Sequence, residues 1–159
     1  LVLAPVPVEK EVGRLIDGLR KVYRDKHPDF EVRIEKGMQF RGDTGDFLEL
    51  AGNLLDNACK WCERKVRISV VPSVGARAIA SGMVLTVADD GPGIPQDAAD
   101  ALLQRGMRLD ESTPGHGIGL AVVKDIARSY GGRVSIKTSD LGGAEIMVSI
   151  PPVTTAKAH

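Results

Sequence analysis

The chain has 159 residues, enough for one domain that buries a two-layer core without disulfide or metal staples. Lysine plus arginine and aspartate plus glutamate both number 21, so no overall field draws it to nucleic acid or an anionic membrane, and any phosphate recognition has to be local. No apolar run approaches the roughly 18 residues of a spanning helix. No signal peptide is visible, and a start at Leu-Val-Leu rather than Met suggests a piece of something longer.

Residues 8–25 carry Val8, Val12, Leu15, Ile16, Leu19, Val22 and Tyr23 at helical spacing, and His27-Pro28 stops that predicted helix, since the residue before proline is pushed out of helical space. "FEVRIE" alternates as a strand from Phe30 to Glu35, and "RGDTGD" is a turn offering Asp43 and Thr44 as N-caps. A second helix is predicted over Asp46–Glu63, with Phe47, Leu50, Leu54, Leu55, Ala58 and Trp61 inward. Strands are predicted over Lys65–Val71 and Met83–Asp89, with "GARAIASG" a loop between them. Periodicity then stops from Asp90 to Pro114; a structureless stretch of that length is usually a lid, a binding loop or disorder. "GIGLAVVKDIARSYGG" reads as another core helix, with Leu120, Val123, Ile126, Ala127 and Tyr130 inward and Gly131-Gly132 as its stop. Two strands, "RVSIKTS" and "AEIMVSI", joined by "DLGG", close a domain expected to span 1–152, with 153–159 a flexible tail. The pattern predicts an α+β fold: a mixed sheet with helices on one face.

Three features of this pattern carry chemistry. Asn53 and Asn57 lie four apart, so both amides leave one face of the second helix, where asparagine is a mediocre helix former. An amide oxygen suits magnesium when a nucleotide brings the negative charge, and Lys60, one turn on, reaches a phosphate as a point charge; a lone asparagine on a helix is more often solvent-facing or a cap. Asp89 ends a buried strand, a costly place for a carboxylate unless something bonds it. Gly91 and Gly93 would let a flat ring approach, and a hydrogen bond from an exocyclic amine to Asp89 would contribute roughly 1.5–3 kcal/mol, favouring adenine over guanine. The same "DDGPG" also makes an ordinary turn, and the fragment alone does not decide. Gly115, Gly117 and Gly119 alternate before a helix, where converging N–H groups suit a phosphate. A dinucleotide fold would place a strand before these glycines, and the P-loop ending Gly-Lys-Ser/Thr is absent. Cys59 and Cys62 form a single CxxC inside a helical pattern, read as two small core residues rather than a metal site.

Taken in order, N-x-x-x-N on a helix, D-x-G-x-G after a strand, a long irregular segment and G-x-G-x-G-L opening a helix are similar to the catalytic, ATP-binding domain of bacterial sensor histidine kinases. That family shares a superfamily (GHKL) with gyrase, MutL and the heat-shock chaperone ATPase. The likeness runs from about Leu3 to Pro151, and "GNLLDNACKWC", "DDGPGIP", "RGMR" and "GHGIGLAVVKDIA" most resemble the PhoQ type. It implies a Bergerat-type two-layer α/β sandwich, with a mostly antiparallel sheet and a long ATP lid. It also implies ATP and Mg2+ as cofactors, with Asn57 as magnesium ligand and Asn53 its neighbour at the phosphates. By the same resemblance Lys60 and Trp61 contact phosphate and nucleotide, Asp89 accepts from the adenine amine, and Gly91, Gly93 and Ile94 shape that pocket. Arg105 and Arg108 approach the phosphates from the lid, Gly115, His116, Gly117, Ile118, Gly119 and Leu120 form the second glycine box, and Gly142-Gly143 a weaker third. Asn53, Lys60 and Arg108 would assist phosphoryl transfer.

The departures matter as much. Leu102 and Leu103 stand where the lid usually has a phenylalanine, Thr113 replaces an expected arginine, and His116 replaces a glutamine, where it could touch phosphate or metal. Hydrolysing relatives place a glutamate where this chain has Asn53, an amide that is no base, and Glu49 lies a further turn back; the sequence favours transfer over hydrolysis. None of His27, His116 and His159 has the acidic helical context of the family's phosphoacceptor. The implied partners are therefore a separate dimerisation domain bearing that histidine, in a full-length homodimer, and a response regulator. Neither nucleic acid nor membrane contact is expected, and the domain would be the cytoplasmic part of an inner-membrane sensor. The alternatives are an ATP-binding module without autonomous catalysis, an ATP-hydrolysing relative, or a serine kinase of the anti-sigma type.

Overall fold

The computed structural model describes residues 4–105 and 117–154, with the backbone alone for residues 102, 104, 105, 117 and 118. In chain order the elements are β1 (Val6–Pro7), α1 (Val8–Val22), β2 (Asp29–Ile34), β3 (Gln39–Phe40), α2 (Thr44–Trp61), β4 (Lys65–Ser73), β5 (Gly82–Asp89), α3 (Gln96–Arg105), α4 (Gly117–Ser129), β6 (Arg133–Thr138) and β7 (Ala144–Ile150). Five strands form one sheet in the order β2-β4-β5-β7-β6, parallel between β2 and β4 and antiparallel elsewhere. The mixed sheet of an α+β fold is as the sequence pattern predicts, and its mostly antiparallel pairing is as the resemblance implies.

Period-two alternation sorts the two sheet faces. Ile68, Val87, Ile146 and Ile136 sit side by side across four strands, and all are buried. They share one core with Val8, Val12 and Ile16 of α1, Phe47, Leu50, Leu54 and Leu55 of α2, and Leu120, Val123 and Ala127 of α4. One residue out of phase, the row Glu31, Arg67, Ala88, Glu145, Lys137 crosses the opposite face. There Lys65 pairs with Glu31 and Lys137 with Glu145, each at 3.1 Å, and Arg67 pairs with Asp140.

Local signals behave as their chemistry requires. Asp43 caps α2, its carboxylate accepting from Asp46 N–H at 2.9 Å, an arrangement whose loss typically costs about 1 kcal/mol. Gly131, at φ 74°, ends α4, with Gly131 N–H donating to Arg128 O and Gly132 N–H to Ala127 O. α1 stops at Val22, three residues short of the expected end, with Tyr23 leaving helical φ/ψ while its N–H still donates to Leu19 O; His27 before Pro28 takes φ 56° only after the turn that follows. Cys59 and Cys62 are free thiols within the core, and burial pushes the Cys59 thiol up to about 12.

One expectation needs correction. The stretch from Asp90 to Pro114, read as structureless, contains α3. Ala98, Ala99, Ala101 and Gln104 are good helix formers, but among the described side chains of α3 only Ala99 is fully buried, with Leu103 partly buried. So small a buried side chain leaves almost no periodic apolar signal. The short β1–β3 pair was also not anticipated.

Candidate functional site

α2 is clamped at both ends. At its start Tyr130 Oη, from the end of α4, accepts from Asp43 N–H at 3.0 Å and donates to Asp46 Oδ2 at 2.7 Å. At its finish Lys26 Nζ donates to the carbonyls of Cys59 (3.0 Å) and Lys60 (2.8 Å), which a helix C-terminus otherwise leaves unpaired. Tyr23 Oη adds a bond to Asp56 Oδ1 at 2.7 Å. The helix carrying the two asparagines is thereby fixed against α1 and α4.

The asparagines differ in how they are held. Asn53 is half-buried, and its Nδ2 donates to Glu49 O at 2.6 Å, leaving Oδ1 as the open end. A Cβ added to Gly119 would lie 3.5 Å from that Oδ1, so the first turn of α4 passes directly beside Asn53. Asn57 is only 5 % exposed, and its Oδ1 has no hydrogen-bond partner among the described residues. An orphaned buried acceptor costs about 1–3 kcal/mol, so a carbonyl oxygen held there is a donor atom suited to a cation. Lys60 is exposed one turn later, and Trp61, expected inward, is half-buried.

Asp89, 4 % exposed, ends β5. Its Oδ1 accepts from Gly91 N–H at 2.9 Å and Ala144 N–H at 3.3 Å, and its backbone carbonyl accepts from Gly143 N–H at 3.1 Å. Oδ2 accepts nothing among the described residues, which leaves one carboxylate oxygen for a ligand. Burial pushes this carboxyl above the ordinary carboxylate range, against the pull of the Gly91 and Ala144 N–H groups.

Glycines allow the elements to meet this closely. A Cβ on Gly91 would lie 2.2 Å from the carbonyl oxygen of Trp61, and one on Gly143 would lie 2.1 Å from Asp89 Oδ1. Gly93 adopts φ 81° with its missing side chain facing the Gly143 backbone, and Ile94 packs partly buried against the core. These contacts bring Trp61, Asp89, Gly91, Gly93 and Gly143 together at the end of α2, and Asn53 and Gly119 together about two turns earlier on the same helix.

α4 begins at Gly117, with Leu120 buried beneath its first turn. Arg105 closes α3, its side chain outside the description, as is that of Ile118; Arg108, Gly115 and His116 lie outside the described residues altogether. The sequence reading undervalued Gly143 and passed over Ala144, although their amides hold Asp89. The "DLGG" turn is visible in the sequence, but Ala144 just after it bonds a residue 55 positions away, and no local pattern encodes such a contact.

The family described as "Histidine kinase-, DNA gyrase B-, and HSP90-like ATPase" matches residues 42–154. The sensor protein kinase CarS of Pseudomonas aeruginosa is 43 % identical over 150 residues, covering 94 % of this chain and 32 % of CarS. The sensor protein PhoQ of Escherichia coli strain K12 is 39 % identical over 142 residues, 89 % of this chain and 28 % of PhoQ. The chain thus spans about a third or less of these relatives. The mycobacterial sensor histidine kinase MprB superposes with a TM-score of 0.70 at 27 % identity, over 96 % of this chain and 100 % of that one. Sequence and fold agree: the chain belongs to the histidine kinase-, DNA gyrase B- and HSP90-like ATPase family, and within it to the ATP-binding catalytic domains of sensor histidine kinases.

Proposed function

We propose that this domain binds Mg-ATP and delivers the γ-phosphoryl group to a histidine on a separate dimerisation domain of a two-component sensor, from which a response regulator takes it. The observation that carries the reading is Asn57 Oδ1, buried, unpaired and set on a helix fixed at both ends. Asn57 would hold the magnesium, with Asn53 Oδ1 beside it at the phosphates; the residues present fit the group. When bound, the ion neutralises charge developing on the phosphate oxygens.

The chain's own residues supply position and field. Asp89 Oδ2 accepts from the adenine amine while its other oxygen stays tied to the backbone. The N–H groups at the start of α4 face the phosphates beside Asn53, and Lys60 and Arg108 add positive charge there. His116 is a further phosphate or metal contact on this reading, and Arg105 approaches from the lid. Catalysis is then positioning and electrostatics, the usual content of phosphoryl transfer. Hydrolysis lacks its base, because Asn53 is an amide whose NH2 is already committed to Glu49 O, and the Glu49 side chain is exposed on an earlier turn.

Among the described residues no helix is long and apolar enough to cross a membrane. We place the domain on the cytoplasmic side of an inner-membrane sensor, joined in the full-length homodimer to the histidine-bearing helices. The test is to mix this chain with that separately produced helical domain and γ-labelled ATP. Acid-labile, base-stable label on the helical domain supports transfer, whereas steady phosphate release without an acceptor would make the domain an ATPase.

A further inference from the structure

Asp89 and Asp90 are consecutive, yet their carboxylates do different work. Asp90 turns away from the β7 side and accepts from three successive backbone amides: Glu63 N–H at 2.9 Å, Arg64 N–H at 3.0 and 3.1 Å, and Lys65 N–H at 3.1 Å. Those amides follow directly on the end of α2, past Cys62, and form a nest of the kind that binds anions. Partial burial works against the charge of Asp90, but the Arg64, Lys65 and Glu63 N–H groups hold its carboxyl below the ordinary range.

The segment Asp89–Gly91 is therefore gripped from two sides. On one side Gly143 and Ala144 N–H bond Asp89; on the other the Asp90 carboxylate draws the segment onto the residues after α2. Between them Gly91 passes so near the Trp61 carbonyl that no Cβ fits. The Asp90 contact thus helps to hold Gly91 beside the Trp61 carbonyl, and Gly91 N–H in turn holds Asp89 Oδ1.

From this geometry we infer that Asp90 is a positioning residue for nucleotide binding, setting the adenine end of the site by locking Asp89–Gly91 onto the end of α2. The inference rests on the proposed ATP site and adds to it a residue that touches no nucleotide. It predicts a loss confined to the adenine end and transmitted through Asp89, leaving the magnesium-dependent part of binding intact.

The test measures ADP and AMPPNP affinity by calorimetry, with and without magnesium, and through the emission of Trp61, the chain's single tryptophan. Asp90→Ala is expected to weaken both nucleotides by about tenfold, as loss of charge-assisted hydrogen bonds does, and to shift Trp61 emission. Asp90→Asn, which keeps one acceptor, should fall between, at about threefold. In an Asp89→Asn background the further loss on changing Asp90 should shrink below about twofold, because coupled residues are not additive. If Asp90→Ala does not fold, Asp90→Asn decides.

Folded Asp90 variants with wild-type affinity, or the same loss with and without Asp89, would overturn the inference and leave Asp90 a loop-stabilising residue. A wild-type chain that binds neither nucleotide overturns the ATP-site reading itself, a result distinct from the first.

Discussion

On the proposed reading, the adenine and phosphate ends of the site are built on opposite principles. At the adenine end, Asp89 is hydrogen-bonded by Gly91, Gly143 and Ala144, and Gly91 and Gly143 leave no room for a Cβ. At the phosphate end, Asn57 presents a buried oxygen without a partner, and Asn53 turns its NH2 away and leaves its oxygen open. The first end is tied down by backbone N–H groups with one carboxylate oxygen left open, and the second leaves a buried amide oxygen without a partner among the described residues. On that reading the difference follows from what each end would recognise. A neutral ring is read by shape and one oriented acceptor, whereas a metal-bridged triphosphate brings its own charge and needs donor atoms left free.

Changes that fill the crowded end should have the largest effect. Gly143→Ala places a methyl 2.1 Å from Asp89 Oδ1 and 2.5 Å from Gly91 N, so backbone must move. We expect nucleotide affinity to fall at least about a hundredfold and stability by roughly 1–3 kcal/mol, read by calorimetry and urea unfolding. Full affinity in the variant would show the crowding to be harmless.

At the open end function and stability should move in opposite directions. Asn57→Leu removes an unpaired buried amide in favour of a side chain of nearly the same shape. Stability should rise by about 1 kcal/mol while the magnesium-dependent part of ATP affinity disappears. A fall in stability of similar size would mean that Asn57 is a structural residue. Asn57→Ala should abolish the same magnesium dependence, whatever its effect on stability.

Asp89→Asn keeps an acceptor for Gly91 and Ala144 but turns an NH2 toward the adenine amine, and about a tenfold loss of affinity with the fold intact is expected. The pH dependence has a definite sign. Burial raises the folded pKa of Asp89 above the roughly 3.9 of an unfolded aspartate. Between those two values the native state binds more protons than the unfolded one, so this group's contribution to stability declines as pH rises and is constant above the raised value. Unfolding at several pH values should show that slope in the wild type and its absence in Asp89→Asn. Adenine affinity should drop as pH falls through the same raised value, because the acceptor becomes protonated.

The smallest effect belongs to a residue remote from both ends. Tyr130→Phe removes the hydroxyl bonded to Asp43 N–H and Asp46 Oδ2, and we expect a loss of about 1 kcal/mol with little change in affinity. A large loss of affinity would show that the start of α2 is coupled to the site.

Legibility in the sequence followed the range of the interactions. The asparagine pair is a local pattern, two positions one helical turn apart, and so was visible. The Asp43 cap, the glycine stop of α4 and the alternation of the strands are local in the same sense. α3 escaped because one buried alanine carries almost no periodic signal, and β1–β3 because two-residue strands have no period at all. The hold of Gly143 and Ala144 on Asp89 joins positions more than 50 apart, and the Asp90 nest joins positions about 25 apart. Only the fold brings those residues together.

The most direct measurement is calorimetric titration of this chain with AMPPNP, with and without magnesium, beside the guanine analogue. Magnesium-dependent binding of the adenine form alone is the predicted result, with the stacked asparagines serving the metal-bridged triphosphate. Binding of neither analogue, or of both alike and regardless of magnesium, would contradict the assignment of the two ends.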